Sequence, residues 1–266
     1  MSTMTQTQNV VDESRAPASA GRKSGFLAKA PTIARRELFS YFVSPIAYVA
    51  MFLFLIACGL AFAQDFSPGQ PAMMRHLFEW MLWFMAFVVP ILCMGSISQE
   101  WASGTIETLM TAPVTDSEVV VGKYLGSLGF VLVLLVPTLL YVVILKIYAT
   151  PSLDVGPVLN GYLGMVLAAS LFVAVSLFCS SLTRSQVVAA VSAFAILAIL
   201  TILPWLVSAW TVLPDFWRTL VNQAVYSRYV DFSKGVLDTG HVVFFIVSTA
   251  AFLFFTTKVL ESRRWK

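Results

Sequence analysis

The sequence predicts an all-α protein that crosses a membrane six times. Hydrophobic residues make up 58% of the 266 residues and charged residues only 12%, about half the charged fraction of a soluble domain. Six apolar runs alternate with polar segments, and each has about the length, roughly 20 residues, that a helix needs to cross the bilayer hydrocarbon. The runs are residues 46–63, 77–98, 124–145, 158–182, 187–210 and 242–257.

Two regions precede the first apolar run. Residues 1–29 are rich in Ser, Thr, Gln and Ala, show no apolar period and lack the apolar core of a signal peptide. They predict a disordered cytoplasmic tail ahead of a single domain at 30–266. Residues 31–43 predict a helix lying in the membrane interface, because Pro31 suits a helix start and an apolar stripe runs beside a pair of arginines.

Residues 99–121 form a polar segment between the second and third runs and contain four of the fourteen acidic residues. Gly104 and Thr105 can open a short helix, because a threonine side chain accepts a bond from a free backbone N–H. The apolar residues that follow share one face of that helix, and Pro113 ends it. Such a helix suits docking on a partner at the membrane surface. An ordinary loop lying on lipid headgroups is the other interpretation.

Cap patterns mark two further helix starts. Thr115 and Glu118 have the spacing of a capping box ahead of the third run. Residues 211–240, the longest external segment, mix aromatic and charged side chains, which predicts a short interfacial or re-entrant helix before the sixth run. Asp238 and Thr239 suit the cap of that last span.

The distribution of Lys and Arg predicts the orientation. If the N-terminus is cytoplasmic, twelve of the seventeen basic residues lie in inside segments and five in outside loops. Inside segments of membrane proteins carry the excess of positive charge. Both termini and residues 99–121 are therefore expected on the cytoplasmic side.

Several function classes lack the residues that they need. Among all six runs, the only Asp, Glu, Lys, Arg or His is Glu79, which lies near the start of the second run. The middle of each run therefore has no ionisable group of the kind that ion-coupled transport or proteolysis needs. Neither an HExxH pair nor a GxxxxGK[ST] loop is present. Cys58, Cys93 and Cys179 lie in separate runs and suit packing. No catalytic, metal-binding or cofactor-binding residue is expected, so any pumping must draw its energy from another polypeptide.

A set of short motifs carries a family resemblance. In chain order they are RREL-x-SYF-x-SPIAY at 35–48, E-x-x-x-GT-x-E-x-L-x-x-x-P at 100–113, GK at 122–123, S-x-x-T-R-x-Q at 180–186, F-x-KGV-x-D at 232–238 and VLESRRW at 259–265. From about residue 30 to the end, this set resembles the ABC-2 type transporter permeases, and is most similar to the gliding-motility-associated (Gld-type) branch.

The resemblance implies a six-span permease of the bacterial inner membrane that pairs with a second permease chain and a cytosolic ATPase dimer, which binds the ATP and Mg²⁺. The coupling helix that enters the ATPase would comprise Glu100, Gly104, Thr105, Ile106, Glu107, Leu109, Met110 and Pro113. The connecting helix beside it would include Arg35, Arg36, Glu37 and Leu38, and the external re-entrant segment Phe232, Lys234, Gly235 and Asp238. Family members usually carry a basic residue where this chain has residues 101–103, which implies a more apolar contact here.

Two other functions stay open at this point. One is a structural membrane anchor of a multi-protein surface machine, a role that the Gld-type resemblance allows, together with an auxiliary protein that has a periplasmic domain. The other is an integral-membrane enzyme acting on lipids, for which Asp215, Asp231, Asp238 and His241 are the external candidates, although their spacing matches no metal or acid–base pattern. The net charge of +3 does not favour a nucleic-acid partner.

Overall fold

The computed structural model describes residues 29–65, 74–104, 115–148, 154–208 and 224–264. All regular structure within these ranges is helical, which confirms the all-α prediction. The helices are α1 Ala30–Val43, α2 Pro45–Asp65, α3 Arg75–Cys93, α4 Ser98–Ser103, α5 Asp116–Leu135, α6 Leu139–Tyr148, α7 Val155–Leu182, α8 Gln186–Ser208, α9 Val225–Ser233 and α10 Thr239–Arg264. A 3₁₀ turn at Val136–Thr138 joins α5 to α6.

Six helical segments are long and apolar enough to span a membrane, as the sequence predicts. They are Pro45–Gln64, Arg75–Ser103, Asp116–Tyr148, Val155–Leu182, Gln186–Val207 and Thr239–Arg263. Most extend beyond the apolar runs, because polar residues continue the helix at its ends. The third span shows this most clearly: it begins at Asp116, eight residues before the predicted start at Tyr124.

The central helix of the bundle is α7, which packs against α3, α5, α8, α9 and α10. Small residues let the neighbours approach closely, as expected for helix contacts in a membrane. A Cβ atom added to Gly161 would overlap the ring of Phe78 on α3, and one added to Gly164 would lie 2.7 Å from Cβ of Phe232 on α9. The outer helices α2, α8 and α10 leave large apolar side chains exposed, as a bilayer-facing surface requires.

The predicted helix starts are confirmed where the structure describes them. The proline of α1 lies in its first turn. At the start of α5, Thr115 and Glu118 make both hydrogen bonds of the capping box. At the start of α10, Oδ1 of Asp238 accepts the Gly240 N–H at 2.8 Å.

The segment between the fifth and sixth spans contains the predicted short helix, α9. Tyr229 and Phe232 on α9 are fully buried, and the Tyr229 hydroxyl donates to the carbonyl of Phe78 at 3.1 Å. This helix is therefore fixed against α3 and α7.

Gly104 ends α4 with a φ of +71°, a left-handed conformation that glycine adopts without a steric penalty. The helix that the sequence predicts from Gly104 and Thr105 onward lies beyond this point. The remaining part of the predicted coupling helix lies outside the described residues, namely Thr105, Ile106, Glu107, Leu109, Met110 and Pro113. Residues 1–28 of the predicted tail lie outside them as well.

Candidate functional site

A buried group of charged and polar side chains joins α1, the end of the second span and the start of the third. Lys123 on α5 is only 4% exposed, and its Nζ lies 2.9 Å from Glu100 Oε1 and 3.3 Å from Glu37 Oε2. The same ammonium donates to the Ser96 carbonyl at 2.6 Å, and the Ser96 hydroxyl donates to Glu37 Oε1 at 2.6 Å. We call these four residues the Lys123 cluster.

The Lys123 cluster carries an excess of negative charge. Two carboxylates share one ammonium, and all three side chains are largely removed from solvent. Charges in such a setting are stable only when they are paired and hydrogen-bonded. Within the described ranges Oε2 of Glu100 is buried and receives no hydrogen bond, so one acceptor of the cluster has no partner there.

Two glycines of α5 allow α1 to pack directly on the third span. A Cβ atom at Gly122 would lie 2.6 Å from Cβ of Ile33, and one at Gly126 would lie 2.6 Å from Cβ of Glu37. These glycines are four residues apart and form a GxxxG pattern, which brings helix backbones close together. The contact places the Glu37 carboxylate against Lys123.

Hydrogen bonds fix α1 to α5 at both ends of this contact. The backbone N–H of Lys29 donates to Glu118 Oε1 at 3.2 Å. The hydroxyls of Tyr41 and Ser127 lie 2.9 Å apart in a buried position. The predicted interfacial helix is therefore attached to the third span along its length.

The central helix α7 supports the break between α3 and α4. The Ser180 hydroxyl oxygen accepts the N–H groups of Ile97 and Ser98 at 3.2 and 3.0 Å. It also donates to the Met94 carbonyl at 3.0 Å. The orientation of α4, and with it the position of Glu100, therefore depends on α7.

The end of α10 reaches the same part of the molecule. The Arg263 guanidinium lies 5.1 Å from the centre of the Trp101 ring, and one of its nitrogens donates to the Leu182 carbonyl. A cation over an indole face is attracted by the ring quadrupole. A basic group is thus present beside residues 101–103 after all, and it comes from the terminal VLESRRW motif.

A cavity of about 400 Å³ adjoins the Lys123 cluster. Its polar lining includes Arg36, Glu37, Gln99, Glu100, Lys123 and Gln186. Its apolar lining includes Ile46 on α2 and Ile91 on α3, two helices of the predicted membrane spans. The cavity therefore extends from the charged cluster toward the outer surface of the bundle.

The structure brings together part of the predicted coupling and connecting set. Glu100 and Glu37 meet at Lys123, and Arg36 lines the adjoining cavity, whereas Arg35 is exposed on α1. Leu38 contacts α5 near Gly129. The sequence reasoning missed Lys123 as a buried partner, together with Ser96 and Ser180. Both Lys123 and Ser180 belong to the conspicuous short motifs, but the sequence gives no sign of what they contact.

The residues of the predicted external re-entrant segment lie in or directly after α9, away from the Lys123 cluster. Their contacts stabilise the fold locally. Phe232 is fully buried, and Lys234 pairs with Asp231 at 3.1 Å between exposed side chains. Gly235 has a φ of +86°, and its carbonyl accepts a hydrogen bond from the side-chain amide of Asn160. Asp238 caps α10.

Among the described residues, no group of three or more His, Cys, Asp or Glu side chains is arranged to hold a metal ion. His241 Nε2 lies 4.0 Å from one oxygen each of Asp231 and Asp238, the separation of a long ion pair. Asp215 lies outside the described residues. The geometry gives the lipid-enzyme hypothesis no support.

Glu79, the charged residue within the second predicted run, has two partners near its helix start. Its carboxylate accepts from Arg75 at 3.3 Å and from the Tyr226 hydroxyl at 3.3 Å. Burial, reinforced by the nearby Glu79 charge, raises the pKa of Tyr226 to about 12, so this hydroxyl remains a donor.

The fold defines a multi-pass membrane protein with an interfacial helix fixed to its third span by a buried ion cluster. Comparison with protein-family models matches residues 4–223 to the ABC-2 family transporter proteins. This match covers well over half of the 266 residues, and the chain belongs to that family. It is thus a membrane subunit of a transporter. No curated protein matches the chain at a significant level.

Proposed function

We propose that the chain is the permease subunit of an ATP-driven exporter, and that residues 99–121 connect it to a cytosolic ATPase dimer. The observation that supports this most strongly is the Lys123–Glu100 ion pair, with its 2.9 Å contact. Glu100 is the first residue of the predicted coupling set and Lys123 follows the last, so a buried ion pair joins the two ends of that segment. A force applied to the segment reaches α4 and α5 together.

The same cluster provides a path for movement into the spans. Glu37 ties α1 to Lys123, and the close Gly122 and Gly126 contacts make α1 and α5 one unit. ATP-driven closure of the ATPase dimer would push the coupling helix, and the unit would tilt against α7. The tilt would switch the permease between two conformations. A path at the interface with a second permease chain would then open to one side of the membrane and to the other in turn. ATP and Mg²⁺ belong to the ATPase in this proposal.

We place the protein in the bacterial inner membrane with both termini in the cytoplasm. The excess of Lys and Arg on that side supports this orientation. Residues 1–29 form a cytoplasmic tail and 30–266 the permease domain. The order of the short motifs along the chain favours the Gld-type branch, in which an auxiliary protein with a periplasmic domain completes the assembly.

Co-purification with the ATPase tests this function. The tagged full-length chain is expressed in its native host, and both co-purification of an ATPase and ATP turnover are measured for Glu107→Ala and Leu109→Ala. Lys234→Ala, at the other end of the molecule, is the control. We expect the first two variants to reduce assembly or turnover and the control to leave both unchanged. Normal assembly and turnover in all three would refute the docking role.

A further inference from the structure

The cavity beside the Lys123 cluster has the composition of a binding site for a small amphiphile. Its volume of about 400 Å³ falls in the range of small-molecule sites. One wall is charged and polar, whereas Ile46 and Ile91 on the spanning helices form an apolar wall and are themselves 51% and 41% exposed. A ligand that fits both walls carries a charged headgroup and an apolar tail.

The charges of the cavity indicate the chemistry of the headgroup. Glu37 and Glu100 together exceed Lys123 by one negative charge, and Glu100 Oε2 is a buried acceptor to which none of the described residues donates. A buried unsatisfied carboxylate oxygen is costly, so a ligand ammonium with N–H donors would be stabilised there.

Arg36 supplies the complementary charge. It lies in the wall of the same cavity, is exposed, and forms no ion pair within the part of the chain that the structure describes. A guanidinium binds phosphate oxygens through paired N–H donors. The cavity therefore offers one site for an ammonium and another for a phosphate.

We propose that this cavity binds the headgroup of phosphatidylethanolamine from the adjacent leaflet. The ammonium donates to Glu100 Oε2, the phosphate binds Arg36, and an acyl chain lies along Ile46 and Ile91. Binding of the lipid does not require the ATPase, so the test of lipid binding is separate from the test of the proposed function. Because Glu100 and Glu37 belong to the Lys123 cluster, the bound lipid would occupy the junction between α1, α4 and α5.

Native mass spectrometry of the full-length chain in detergent tests the proposal. Equal concentrations of phosphatidylethanolamine, phosphatidylcholine and phosphatidylglycerol with the same acyl chains are added, and soluble phosphoethanolamine is added separately. We expect phosphatidylethanolamine to be retained best. Phosphatidylcholine lacks the N–H donors, phosphatidylglycerol lacks the ammonium, and phosphoethanolamine lacks the chains. Equal retention of the three lipids, or equal binding of phosphoethanolamine, would overturn the proposal.

Variants assign the two polar contacts. Arg36→Gln and Glu100→Gln are each expected to weaken phosphatidylethanolamine binding about tenfold, as the loss of a charge-assisted bond predicts. Arg184→Gln, an exposed arginine in the turn between α7 and α8, is the matched control and should bind normally. Arg36 is exposed, so its variant keeps the test valid if Glu100→Gln does not fold. Normal binding of phosphatidylethanolamine by Arg36→Gln would overturn the proposal. Retention of the lipid by monomers but not by dimers would also overturn it, because a second chain would then cover the cavity.

Discussion

Nζ of Lys123 and Oε1 of Glu100 lie 2.9 Å apart, on two helices at opposite ends of the polar segment that links the second and third spans. Lys123 is 4% exposed, so this contact is a buried ion pair. Glu37 joins it from α1 at 3.3 Å. One ammonium thus holds three helices together at the point where the proposed coupling segment enters the bundle.

Removal of the Lys123 ammonium is expected to destabilise the protein strongly. Lys123→Met leaves the carboxylates of Glu37 and Glu100 partly buried without a counter-charge, a change that costs about 3–5 kcal/mol in comparable buried pairs. Thermal unfolding of the purified chain in detergent, followed by intrinsic tryptophan fluorescence, measures the effect.

The matched control for this variant is Lys234→Met. Lys234 also forms an ion pair, with Asp231 at 3.1 Å, but both side chains are about two-fifths exposed. Exposed pairs contribute about 0–1 kcal/mol. A similar loss of stability in both variants would contradict the role of burial assigned to Lys123.

The close contact between α1 and α5 predicts a difference between two neighbouring glycines. Gly126→Ala places a Cβ atom 2.6 Å from Glu37 Cβ and 2.7 Å from the Ala34 carbonyl oxygen, so α1 must shift. We expect a loss of about 1–3 kcal/mol, typical of overpacking.

Gly129→Ala, on the same helix, is the control for that substitution. Its new Cβ atom would meet the Leu38 side chain at 3.6 Å, an ordinary contact distance. Stability should therefore change little. If both variants unfold at the wild-type temperature, α1 does not pack on α5 as described.

The sequence was sufficient for the spans and their caps but not for their contacts. Length and apolarity locate all six spans, and the Thr115–Glu118 spacing correctly predicts the capping box. The burial of Lys123 could not be predicted, because the pattern of one helix does not reveal which neighbour brings the carboxylates. The role of Gly122 and Gly126 could not be predicted for the same reason, because it depends on α1, which is distant in sequence. Gly104 ends α4, a role that the sequence does not distinguish from a helix start because glycine suits both.

Neutralisation of Glu79 is expected to leave transport activity intact. Glu79→Gln keeps an oxygen that accepts from Tyr226, and it loses only the pair with Arg75, whose side chain is 45% exposed. ATP turnover of the assembled complex should therefore stay within about twofold of wild type. A large loss of turnover with normal assembly would show that the second span needs this ionisable group.

Cysteine labelling tests the proposed orientation. Cys58, Cys93 and Cys179 are buried and are first replaced by alanine. On intact cells, a membrane-impermeant maleimide should then label Val236→Cys, at an exposed position after α9. It should label Ser185→Cys, in the exposed turn after α7, only once the membrane is opened. The reverse pattern would place residues 99–121 outside the cell.

Site-specific photocrosslinking from the coupling segment tests the central claim most directly. A photoreactive amino acid replaces Leu109 in the full-length chain, and a second variant carries it at Val236 as the control. We predict that the first variant crosslinks, in intact cells, to a protein whose peptides contain a GxxxxGK[ST] phosphate-binding loop, and that the control does not. An adduct with this ATPase from Val236, or none from Leu109 in an assembled and active complex, would contradict the account.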